Sequence, residues 1–130
     1  MPQEIFQLVY KSKYSFARVD STLKTLRDIV LKSKKNNVAC NVTGDLIFDG
    51  EVFIQILEGD PADVRRTYNK INEDRRHKES EILLTRIAGA RDFPAWAMGG
   101  FLQTAPISNT ITGIEAIDLA KKLMTLTKTL

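Results

Sequence analysis

The sequence predicts an α+β fold, and three observations carry that expectation. Short β-prone runs alternate with helical patterns in the order β-α-β-β-α-β, followed by one more strand and a final helix. An Asp49-Gly50 turn joins two of the strands into a hairpin. The return strand of that hairpin, residues 51–58, is apolar on both faces, so it should be central and covered on both sides. Together these features describe a ferredoxin-like split βαβ pattern with an extra strand. Two helices pack on one face of the sheet, and a C-terminal helix covers the other.

Each element has its own local signal. Residues 5–11, IFQLVYK, alternate with period two, so Phe6, Leu8 and Tyr10 share one face of a strand. Asp20 or Ser21 caps a helix that runs to about Lys35. Leu26, Val30, Ser33 and Asn37 recur at helical spacing along one side of it. Residues 41–48, NVTGDLIF, and 51–58, EVFIQILE, are the hairpin strands. In the second, Val52, Ile54 and Ile56 line one face, and Phe53, Gln55 and Leu57 the other. Gly59-Asp60-Pro61 opens another helix, with Asp60 as N-cap, Pro61 at the first helical position and Asp63 in the first turn. Val64, Tyr68 and Ile71 mark its buried face. Residues 81–88, EILLTRIA, read as a strand, and WAMGGFL after Pro94 as a weaker one. From about Gly113, Ala116, Leu119, Leu123, Leu126 and Leu130 give an amphipathic helix its apolar stripe.

Composition narrows the class of protein. A chain of 130 residues with 43% apolar content suits one domain with a real core. A net charge of +3 without a concentrated basic stripe does not single out nucleic acid. No apolar run approaches the roughly 20 residues of a membrane helix. The N-terminus turns polar too soon for a signal peptide. A lone cysteine, Cys40, allows no internal disulfide and lacks a histidine motif, so it reads as a buried inert thiol. A cytoplasmic protein is expected. His77 has no Cys, Asp or Glu at metal-ligand spacing and reads as solvated or structural. The basic runs KSKK and RRHK read as solvated helix ends.

The residue that stands out is Gln55, an amide inside an apolar strand. A primary amide is costly to bury unpaired. In this fold the first and third strands pair at the sheet centre, which brings Tyr10 beside Gln55 under the helices. Asn37 ends the first helix on the same face, near Ser33. Taken singly, each of these residues fits a self-satisfied polar network. Together they suit a planar heteroaromatic ligand, with amides reading its edge and apolar side chains on its faces.

The segments LVYKS, SKKNN, NVTGDLIFDGEVFIQILEG, DRRH and RDFPAWAMG resemble the BLUF family of flavin-binding blue-light receptor domains, in family order, over about residues 4–101. The resemblance implies a flavin-binding domain at residues 1–104 and a C-terminal helical extension at 105–130 packed on the sheet. It implies FAD, or FMN, held between the two helices. Tyr10 then matches the electron donor to the excited flavin, and Gln55 the amide that bridges Tyr10 and the flavin edge. Ser33, Asn36 and Asn37 match further pocket positions, with Asn37 on the ring's carbonyl and imide side. Trp96 and Met98 match a pair in the last strand whose environment changes with light. Lys70 stands where an arginine near the ribityl or phosphate portion is frequent, which keeps the charge but loses the planar fork. Asp45 stands where an apolar residue is usual. Facing outward it is harmless; facing the ring it weakens binding.

The implied role is photosensory signalling without catalysis of its own, acting on a separate protein partner or as a sensor excised from a chain with an output domain, with self-association into homo-oligomers. No nucleic acid or membrane is expected as partner. Two other functions fit the topology. An acylphosphatase-like hydrolase needs an anion-binding loop with arginine and asparagine, which is not seen near the first strand. An RNA-binding module needs aromatics on the open sheet face, where this chain has Val52, Ile54 and Ile56.

Overall fold

The structure is a computed structural model and describes residues 4–14, 41–49, 52–73, 77–94, 97–100 and 107–128. The elements are β1 (Ile5–Tyr14), β2 (Thr43–Phe48), β3 (Val52–Gly59), α1 (Pro61–Asn72), β4 (His77–Ala88), β5 (Ala97–Gly100) and α2 (Gly113–Lys128). The helix expected over residues 21–35 lies outside the described residues. The strands form one sheet in the order β4-β1-β3-β2-β5. Pairing is antiparallel except between β2 and β5, which run parallel.

β3 occupies the centre, as its two-sided apolar pattern requires. Phe53, Ile54, Ile56 and Leu57 are all fully buried. The hairpin that leads into it is closed by the Asp49 carboxylate, whose Oδ1 accepts from Val52 N–H at 2.7 Å. Directly opposed residues share a face, so the register sorts the core into two layers. Leu8↔Leu57, Tyr10↔Gln55 and Leu46↔Gln55 lie on one side. Phe6, Leu8, Tyr10, Val42 and Leu57 of this layer pack with Val64 of α1. Val9↔Ile56 and Ile47↔Ile54 lie on the other side. That layer is covered by Phe93, Ile107 and α2 residues Ala116, Ile117 and Ala120. Full burial of each aliphatic side chain is worth roughly 1.5–3 kcal/mol. Ile54 and Ile56 lie under α2, so the open aromatic platform that an RNA-binding module needs is not there.

α1 starts as the sequence indicates. Asp60 Oδ2 accepts from Ala62 N–H at 3.1 Å, and the Asp60 carbonyl accepts from Val64 N–H at 2.9 Å. α2 carries a full capping box: Thr112 Oγ1 accepts from Glu115 N–H at 3.1 Å, and Glu115 Oε1 from Thr112 N–H at 3.0 Å. No helix among the described residues is long and apolar enough to cross a membrane.

Three features depart from the sequence reading. β1 runs on to Tyr14 and β4 begins at His77, because Lys13↔Lys78 and Tyr14↔His77 extend the ladder beyond the apolar run. His77 and Lys78 therefore open a strand and do not end a helix. Position in the sheet overrides the weak strand preference of charged residues. A bulge also sits between β1 and β4: Val9 opposes Leu84 while Tyr10 opposes Ile82. The extra residue lets both Leu83 and Leu84 pack against the α2-side core. Finally, the deepest α2 residues are Ala116, Ile117 and Ala120, whereas Leu119 and Leu123 are half-buried. Small residues let the helix approach the sheet closely.

Gly113 marks the closest approach. A Cβ there would lie 2.3 Å from Leu84 Cβ. Because Cβ cannot rotate away, the helix or the strand must shift. Gly113→Ala is expected to lower stability by about 1–3 kcal/mol in urea denaturation. A change smaller than about 0.5 kcal/mol would contradict this packing.

Candidate functional site

Tyr10 and Gln55 meet where β1 and β3 pair, as the sequence indicates. Both are buried, at 1% and 2% exposure. The Tyr10 hydroxyl donates to Gln55 Oε1. With its oxygen engaged there, the amide turns its two N–H groups the other way. Those N–H groups can donate to an acceptor placed at this edge. The apolar walls come from Leu8, Val42, Leu57 and Val64. Tyr68 of α1 packs edge-on to the Tyr10 ring, with centroids 5.0 Å apart at 65°. Its hydroxyl lies 2.8 Å from Ser80 Oγ. This second tyrosine restrains the first; its core position was legible in the sequence, its contact with Tyr10 was not.

The other expected site residues are placed as follows. Lys70 is exposed in the last turn of α1, where a cation also complements the helix dipole. Met98 lies in β5, which pairs with β2. Ser33, Asn36, Asn37 and Trp96 lie outside the described residues, as does Cys40. Asp45 is fully buried opposite Ile56, so it faces α2, on the other side of the sheet from Tyr10 and Gln55. It is thus neither outward nor directed at the Tyr10–Gln55 site.

A second buried polar cluster went unread in the sequence. Gln7 and Glu58 are both fully buried and directly opposed on β1 and β3. Glu58 Oε2 accepts from Gln7 Nε2 at 2.9 Å and from Asp92 N–H at 2.8 Å, and its Oε1 accepts from Phe93 N–H at 2.6 Å. Gln7 Nε2 also donates to Asp92 Oδ2 at 2.9 Å, while Gln7 Oε1 accepts from Arg86 Nε at 2.6 Å. Lys121 of α2 closes the cluster, 2.9 Å from Asp92 Oδ1. Arg91 fastens the neighbouring backbone, donating to the carbonyls of Glu58 at 2.9 Å and Asn41 at 3.0 Å. The signal was the one that exposed Gln55: a polar residue in a strand buried on both faces. Burial pushes the Asp92 carboxyl up. The hydrogen bonds from Gln7 and Lys121 and the charges of Lys121 and Arg86 outweigh it, and the group sits below its ordinary 3.8.

Comparisons with known proteins identify the family and the fold. The BLUF family model, described as sensors of blue-light using FAD, matches residues 5–99. The blue light- and temperature-regulated antirepressor BluF of Escherichia coli (strain K12) is 36% identical over 86 residues, which is 66% of this chain and 21% of that protein. A bacterial light-regulated adenylyl cyclase superimposes with a TM-score of 0.68 at 31% identity, covering 96% of this chain and 34% of that one. The photo-activated state of BlsA superimposes with a TM-score of 0.69 at 28% identity, covering 97% of this chain and 84% of that one. The chain therefore spans about a fifth of the antirepressor and about a third of the cyclase.

The Asp92 contacts generate a pH dependence. A carboxyl lowered on folding contributes stability that is fully present above its unfolded value near 3.8 and is lost as pH falls through the folded value. In denaturant titrations between neutral pH and about pH 3, Asp92→Asn is expected to be less stable than the wild type at neutral pH. The gap should narrow on acidification; a gap that stays constant would contradict the assignment.

Proposed function

The chain belongs to the BLUF family, the sensors of blue-light using FAD, and from that premise we propose that it is the light-sensing unit of a signalling system, with flavin bound at Tyr10 and Gln55. The observation that carries this reading is the Gln55 amide. It is held by Tyr10 on one side and presents N–H groups on the other, within apolar walls. The ring nitrogen and carbonyl edge of a flavin matches those donors, so the residues present fit the group. FAD is the proposed form, as in the family's description. FMN has the same ring and makes the same edge contacts.

Residues 1–104 form the proposed flavin-binding domain, with 105–130 as the extension that reads it out. Ser33, Asn36 and Asn37 are proposed for the remaining ring contacts, and Lys70 for the phosphate side. Trp96 and Met98 are proposed to sense the switch in the last strand. When bound, flavin supplies blue-light absorption and an electron-accepting excited state. Tyr10 would be the electron donor to that excited state, with its hydroxyl as the source of the mobile proton, and Gln55 the amide that would turn over or tautomerise beside it. Either change would rewrite the hydrogen bonds to Tyr10 and to the flavin edge, with little movement of heavy atoms. A local hydrogen-bond change of this kind biases the elements packed around it. The chain performs no catalysis itself. Its output is contact with a separate protein or an output domain in a longer chain, in a cytoplasmic homo-oligomer.

Absorbance spectra of the flavin-loaded protein in darkness and under blue light test the reading. A flavin spectrum that shifts slightly red in light and recovers in darkness is expected. Gln55→Ala should keep the colour and lose the shift, and Tyr10→Phe should lose it too. A protein that takes up no flavin, or whose flavin does not shift, overturns the proposal.

A further inference from the structure

The pair Tyr10–Gln55 has a counterpart three residues along the same two strands. β1 sets Gln7 opposite Glu58 just as it sets Tyr10 opposite Gln55. Three residues of strand span about 10 Å and turn the side chains to the other face. The first pair therefore faces α1 and the second faces α2.

The two amides differ in how they are held. Gln7 donates to two carboxylates, those of Glu58 and Asp92, and accepts from the Arg86 guanidinium. Turning it over would set its oxygen against two anions and its N–H groups against a cation. All three contacts would become repulsive, so the amide is locked. Glu58 is locked in turn by the Asp92 and Phe93 backbone N–H groups, and its own carbonyl is held by Arg91. The segment 91–93 is thus fastened to the end of the strand that carries Gln55. From the same segment, Asp92 reaches Lys121 of α2, and Phe93 is fully buried in the core with Ala116 and Ala120.

We infer that Gln7, Glu58 and Asp92 form a rigid clamp that ties the strand pair carrying Tyr10 and Gln55 to α2, with Lys121 as the point where the helix is held. The inference deepens the light-sensing reading and rests on it: the clamp is the route by which a change at Gln55 reaches the C-terminal helix. A rigid connection suits that task. A displacement of β3 is passed to segment 91–93 because Gln7 has no turned-over arrangement that keeps its bonds and Glu58 is held by the two backbone N–H groups. Gln7 and Glu58 are positioning residues, since they face away from the flavin site. Coupling of this kind has to be shown energetically and not from contiguity alone.

Hydrogen exchange of the α2 amides in the flavin-loaded full chain supplies that test. In darkness, Glu58→Gln and Lys121→Met are each expected to speed α2 exchange by about tenfold. The double variant should be no faster than the faster single one, because both act through Asp92. Additive effects, or no effect of Glu58→Gln, overturn the clamp. If Glu58→Gln does not fold, Gln7→Met replaces it in the cycle with the same expected outcome. Under blue light, Lys121→Met should keep the flavin shift and lose the light-dependent change in α2 exchange seen in the wild type. A light-dependent change that persists in Lys121→Met overturns the route. A wild type whose flavin does not shift contradicts the light-sensing reading instead, and the dark cycle still decides the clamp.

Discussion

The antiparallel pairing of β1 and β3 is the constraint from which the rest follows. These are neighbouring inner strands of the sheet, with α1 packed on one face and the α2 core on the other, so most of their side chains enter a core. Apolar residues fill most positions at no cost. Each polar residue must instead find a partner across the strand pair or beyond it, since an unpaired buried polar group costs a large part of a domain's net stability. Tyr10↔Gln55 and Gln7↔Glu58 are the two places where polar residues face each other across this pairing. One meets the need with the bond from the Tyr10 hydroxyl to the Gln55 amide oxygen. The other meets it with carboxylates, a guanidinium and backbone N–H groups.

That difference separates the roles of the two faces. An amide changes its hydrogen bonding by turning over, which is possible only where both orientations find acceptable partners. Charged neighbours on both ends forbid it, as at Gln7. A phenol hydroxyl, which both donates and accepts, imposes no such lock on the end of Gln55 that faces it. On this account the α1 face holds the element that changes and the α2 face the element that transmits. The bulge at Val9 and the glycine at 113 serve the second function by seating α2 closely on the sheet.

Much of this was legible in the sequence. Two-sided apolarity placed β3 at the centre, and alternation put Tyr10 and Gln55 on one face. Asp60-Pro61 announced α1. These readings succeeded because they rest on local periodicity and capping, which the tertiary fold did not override. Gln7, Glu58 and Asp92 were not recognised, because they lie 34 to 85 residues from one another in the chain and no local pattern joins them. The extension of β1 to Tyr14 was missed for a related reason: charged residues there are held by ladder pairing, not by propensity. Asp45 was assigned no face because the register of β2 depends on β3. The depth of Ile117 and Ala120 escaped a stripe drawn through Ala116 and the leucines, because the face that α2 presents is set by the sheet it packs on.

The central claim is that Gln55 is a switchable amide and Gln7 a locked one. The most direct test is nitrogen-detected NMR of the side-chain amides in flavin-loaded protein labelled at glutamine, recorded in darkness and under blue light. The account predicts that light moves the Gln55 amide resonances and changes their exchange with solvent. The Gln7 amide should stay slowly exchanging in both states. A Gln55 amide unchanged by light, or a Gln7 amide that rearranges as much as Gln55, would contradict it.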